Sequence, residues 1–237
     1  MEGFRRAKVP EKGLTPDRMA KTEEQLNSVK PVINTSESLQ ELRKYAESKG
    51  IQFYNPNAYD GDIDIMKRQI DAIASVREKY GITQKLTIQT IRVSEDLGRT
   101  SNDERTIYLN SSAYRDREET AEYMSKDRYF STNVAEAIGV HEMGHIIHKK
   151  YGGIGLDIAC EAWYNIHKEK VDYKEMLGIL RKNVSIYSST RKPSDEGKKF
   201  DSKQYREVIP EILAKNTYVP DDFTEEFIRL LKVRCGL

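Results

Sequence analysis

The sequence predicts an α+β fold, in which a small mixed or antiparallel sheet packs on one long helix and the C-terminal half is mostly helical. Three observations carry this. Two segments with apolar residues at helical spacing come early, two short segments rich in β-branched residues follow, and helical patterns then run almost to the last residue. With 237 residues, 38% of them apolar and 32% charged, the chain is long enough to bury a sizeable core in one polar, globular unit.

Residues 1–33 carry prolines at 10, 16 and 31 and only a weak helical pattern over Thr15–Asn27, so they read as an arm or linker ahead of a domain spanning 34–237. "TSESLQELRKYAESKG" describes a capped helix: Ser36 stands three residues before Leu39, apolar residues follow at 42 and 46, and Gly50 closes it. "IQFYNPN" then runs extended into a turn. "DIDIMKRQIDAIASVREKYG" has apolar residues at 63, 66, 70, 73 and 76 and a Gly81 stop, the pattern of a second amphipathic helix. Leu86–Val93 and Arg105–Ser111 alternate as strands do, and the turn-like link between them lets them pair. Residues 113–130 mix charge and aromatics without a period. A long helix is expected from the N-cap candidates Ser131–Asn133 to Lys150, stopped by Gly152 and Gly153. Helical patterns recur over Asp157–Glu169, Tyr173–Lys182 and from about Lys203, after a polar loop.

Composition excludes several classes of function. The 39 basic and 38 acidic side chains leave a net charge of +1, so no global field draws the chain to nucleic acid or a membrane surface. No apolar run has the length of a membrane span, and no secretory leader is visible. Cys160 and Cys235 are far apart and outside metal-type spacing, which suits free thiols in a reducing compartment. A cytoplasmic location is expected, in a bacterial host or a phage virion.

The chemistry is concentrated in "AIGVHEMGHIIHKKYG", which holds three of the chain's four histidines. His141, Glu142 and His145 form H-E-x-x-H. Residues four apart on a helix share a face, so both imidazoles can reach one tetrahedral zinc. Glu142 sits about 100° round the helix, where it can serve as a general base without ligating. Gly139 and Gly144 each cost about 1 kcal/mol of helix propensity relative to Ala, which suggests close packing there. His148 lies about 10 Å along the axis from His141, too far to share the ion, and suits an interaction with the helix dipole instead. No further histidine follows at the metzincin spacing, where Tyr151 stands. His167 reads as a surface residue. The third ligand is then a carboxylate: Glu161, or Glu207 with Glu211 one turn later.

"GVHEMGHIIH", "SIYSST" and "EVIPEILA" together resemble the zincin-like metallopeptidase domain of phage minor capsid (head morphogenesis) proteins. They are more remotely similar to the protease domain of anthrax lethal factor. The resemblance covers roughly residues 34–220 and implies a zincin-like fold, Zn2+ as cofactor, His141, His145 and Glu207 as ligands and Glu142 as base. It also implies Glu211 as the partner of a ligand and Tyr187 as a hydrogen-bond donor to the oxyanion. Pro210 departs from the small residue of the family motif; it would kink a helix already running by Asp201–Tyr205, or force a later start.

The expected activity is therefore that of a phage-encoded zinc peptidase acting on a peptide or protein, with capsid proteins as possible partners and the strand Thr106–Asn110 as an edge for substrate pairing. The alternative is a non-catalytic module of a phage minor head protein that keeps zinc for stability. A structural site is usually closed by four protein ligands and has no use for Glu142.

Overall fold

The computed structural model describes residues 30–54, 59–91, 97–125, 130–191, 195 and 198–237. The helical stretch at Thr15–Asn27, nearly all of the arm, and the last two residues of the first strand candidate lie outside them. Among the described residues the fold is α+β, with eight α-helices and a four-stranded mixed sheet.

Helix α1 (Ser36–Ser48) starts one residue earlier than a Ser36 cap requires. The Thr35 side chain accepts the Ser38 N–H at 3.1 Å. Leu39, Leu42 and Ala46 are its buried face, and Gly50 turns the chain at φ +70°. Strand β1 (Ile51–Tyr54) leads to α2 (Ile63–Lys79), which is capped by Asp62 and buries Ile65, Met66, Gln69, Ile70, Ile73 and Val76. Strands β2 (Leu86–Ile91), β3 (Gly98–Thr100) and β4 (Thr106–Asn110) complete the sheet in the order β1-β2-β4-β3.

The two strand candidates do pair, but in parallel, Thr87 facing Thr106 and Ile91 facing Asn110. The tight turn belongs to β3 and β4, which are antiparallel and closed by the bond from Ser101 N–H to the Thr106 carbonyl (2.8 Å). Thr106–Asn110 is therefore an inner strand with both sides paired, and the expectation that it offers an edge is wrong. The edge beside it is Gly98–Thr100.

The unassigned stretch contains α3 (Arg117–Ser125). The long helix, α4, spans Ala137–Lys150 and begins later than the cap candidates at Ser131–Asn133; Glu136 precedes it without capping. Its N-terminus is served instead by the buried Gln69. That amide accepts from Gly139 N–H (3.3 Å) and Tyr114 Oη (3.0 Å) and donates to the Glu136 carbonyl (2.9 Å). The remaining helices are α5 (Gly155–His167), α6 (Tyr173–Asn183), α7 (Val208–Tyr218) and α8 (Asp222–Cys235). Capping boxes at Asp172/Glu175 and Asp221/Thr224 start α6 and α8.

Helix α4 packs on α2, β3, β4 and α7. Its two glycines sit where those neighbours come closest. A Cβ at Gly139 would meet Gln69 Nε2 at 2.2 Å, and one at Gly144 would meet Pro210 Cα at 2.4 Å. No described helix is long and apolar enough to cross a membrane, and both cysteines are free thiols.

Candidate metal centre

His141 and His145 project from one face of α4, their rings 4.9 Å apart and nearly perpendicular. Facing them is the start of α7. Glu207 occupies the N-cap position but does not use its side chain to cap. Its Oε2 instead lies 3.2 Å from His141 Nε2 and 3.4 Å from His145 Nε2. Pro210 causes no kink, because α7 starts at Val208 and the proline falls in the first turn, where an N–H has no intrahelical partner. The late start preserves the one-turn spacing of the two acids. Glu211, almost fully buried, accepts from His141 Nδ1 at 2.8 Å through Oε1 and from Ser131 N–H at 2.8 Å through Oε2.

The fit to a metal ion rests on this donor set. One nitrogen from each histidine and one carboxylate oxygen lie within 4.8 Å of one another. Ligands about 2.0–2.1 Å from a tetrahedral zinc stand about 3.3 Å apart, close to the two Glu207 distances. The bond to Glu211 occupies Nδ1 of His141 and leaves Nε2 to face the Glu207 oxygen, the usual second contact of a ligating imidazole. The three residues can therefore hold a metal ion.

Protonation responds to the same contacts. Burial alone would discharge His141, but the Glu207 and Glu211 carboxylates outweigh it and hold the ring's pKa well above the ordinary histidine range. A cation must then displace a proton from the ring. Lowering the pH favours the proton, so metal affinity is expected to fall by about tenfold per pH unit below that pKa. Titration calorimetry in buffers of different ionisation enthalpy would show about one proton released per ion bound.

Glu142 is buried on the neighbouring face of α4 and lies outside the three-residue group. The Thr100 hydroxyl donates to its Oε2 at 2.8 Å and lies 3.0 Å from its backbone carbonyl oxygen. Sequence reasoning missed Thr100, since it sits in no motif and 42 residues separate it from Glu142. β3 comes this close because Gly98 has no side chain; a Cβ there would lie 2.8 Å from Ile138. Tyr187, in a single 3-10 turn over Tyr187–Ser189, stacks on His141 with 5.6 Å between ring centroids and 9° between planes. Ser185 and Ser188 lock that turn through bonds of 2.9 and 2.7 Å.

Other candidates fall away from the centre. Glu161 receives Arg234 Nη2 at 2.6 Å, tying α5 to α8. His167 is exposed and packs on Trp163. His148 is buried rather than a charged partner of the helix dipole, and burial followed by its neighbour His145 pushes its pKa down to about 4. Comparison with family models, with curated proteins and with solved structures returned no match.

Proposed function

We propose that the chain is a zinc-dependent peptidase of the gluzincin type, with the zincin-like fold of the phage minor head proteins it resembles. The observation that carries this reading is Glu207 Oε2 within 3.2 and 3.4 Å of two imidazole nitrogens from one helix, with Glu142 lining the same recesses outside that group. His141, His145 and Glu207 would hold the zinc, which would supply Lewis acidity for the scissile carbonyl and lower the pKa of water.

The protein's own groups do the rest. Glu142 takes the proton of the attacking water and passes it to the departing amine. Thr100 fixes which carboxylate oxygen of Glu142 is turned away, and Glu211 fixes the ring of His141. Tyr187, held against that ring, donates to the developing oxyanion. An extended substrate lies along the edge strand Gly98–Thr100, in place of the inner strand Thr106–Asn110.

Cleavage of mixed peptides that a chelator abolishes and added zinc restores is the expected result. Absence of chelator-sensitive cleavage would favour the zinc-stabilised assembly module. Thr100→Val is expected to lower kcat about tenfold with zinc content unchanged, as loss of one hydrogen bond to a charged group implies; steady-state kinetics with a metal assay checks it.

A further inference from the structure

Two recesses meet at the candidate centre and differ in chemistry. One lies toward the N-terminal end of α4, a cleft partly open to solvent and walled by Leu97, Tyr123, Met124, Phe130, Ile138 and Ala214. That aromatic and aliphatic lining suits one large apolar side chain. The other runs toward the C-terminal end of α4, past His145 to Gly152, and is lined by Arg99, Lys203 and Arg206.

These three cations are exposed, and none has a carboxylate at ion-pairing distance among the described residues. Arg99 rests on the Tyr108 ring, 4.8 Å from its centroid. Lys149 also lines the recess but is paired with Glu104. The nearby acid Asp195 is bonded to Lys198 at 2.9 Å. Of the other acids in this recess, Glu207 faces the two histidines, so among the described residues the half beyond Glu142 is basic.

The two halves are joined in a fixed order. Gly98, Glu142 and Tyr187 line both. Leu97, just before β3, belongs to the apolar recess, and residues 99–102, from within β3 into the turn after it, belong to the basic one. A peptide laid on this edge strand therefore crosses both recesses, with Glu142 between them. Antiparallel pairing, the more stable geometry per residue, runs such a peptide from the basic half to the apolar half.

We propose that the cleft selects an extended peptide with acidic side chains N-terminal to the bond beside Glu142 and one large apolar side chain immediately C-terminal to it. The position of that bond rests on the peptidase reading; the preference for charge and shape rests on the recesses alone.

The test uses the full chain as Glu142→Gln with zinc added and short fluorescent peptides, read by anisotropy. The probe peptide carries two glutamates, a glycine and then a phenylalanine; in comparison peptides lysine replaces glutamate, glycine replaces phenylalanine, or the order is reversed. The probe is expected to bind about tenfold more tightly than each. Its advantage over the lysine peptide should disappear in Arg99→Glu/Arg206→Glu, whose exposed positions tolerate the change. Equal binding, no binding, a preference for the reversed order, or a preference untouched by that variant would overturn the proposal. The wild-type chain is given the same peptides and products are mapped by mass spectrometry. Selective binding without cleavage sinks the peptidase reading and leaves the preference standing; cleavage without selectivity does the reverse.

Discussion

Glu142→Gln is expected to lower peptide hydrolysis by about a thousandfold while leaving zinc bound, within the range a positioned general base contributes. The substitution is nearly isosteric, and its amide oxygen can still accept from Thr100, which now meets a carboxylate oxygen at 2.8 Å. What is lost is the capacity to take a proton. The residue is buried and outside the group of His141, His145 and Glu207, so the metal grip should survive. Parallel measurement of kcat and zinc content separates the two effects. Hydrolysis at the wild-type rate would remove Glu142 from the mechanism.

The largest effect on stability is expected at Gly144. An added methyl would stand 2.4 Å from Pro210 Cα and 2.9 Å from Pro210 N, and backbone atoms have no rotamer into which to retreat. Overpacking of this kind costs about 3 kcal/mol, offset by the gain of about 1 kcal/mol that Ala brings to a helix. A net loss of about 2 kcal/mol lowers Tm by about 6 °C in a chain of this size. The strain also pushes α7 from α4, and α7 carries Glu211 and follows directly on its N-cap Glu207, so zinc affinity should fall with stability. Gly178→Ala is the matched control. It lies within α6 with nothing within 4 Å of the new methyl, and should be neutral or stabilising. Thermal melts and zinc titrations of both variants check this; a Gly144→Ala protein as stable as the wild type would mean that the two helices stand farther apart.

Much of this is legible in the sequence. Helix periods locate α1 and α2, because each buries one stripe against the core, whereas α4, buried round most of its surface, is legible from the Gly152–Gly153 stop and its histidine spacing. The H-E-x-x-H spacing on α4 and the acids Glu207 and Glu211 one turn apart were equally local signals. Non-local facts were not legible. β3 is three residues long, too short to show alternation, and it alone turns Thr106–Asn110 from an edge into an inner strand. The α4 start misled because Gln69, on another helix, does the work expected of Ser131–Asn133. Glu161 and Glu207 are both acids on later segments, and only the three-dimensional arrangement, which brings Glu207 and not Glu161 into the group with His141 and His145, separates them.

Metal content of purified protein tests the joint grip of α4 and the start of α7 most directly. The account predicts about one zinc per chain in the wild type and in Glu161→Gln, and a small fraction of that in Glu207→Gln. Full zinc in Glu207→Gln, or its loss in Glu161→Gln, would contradict it.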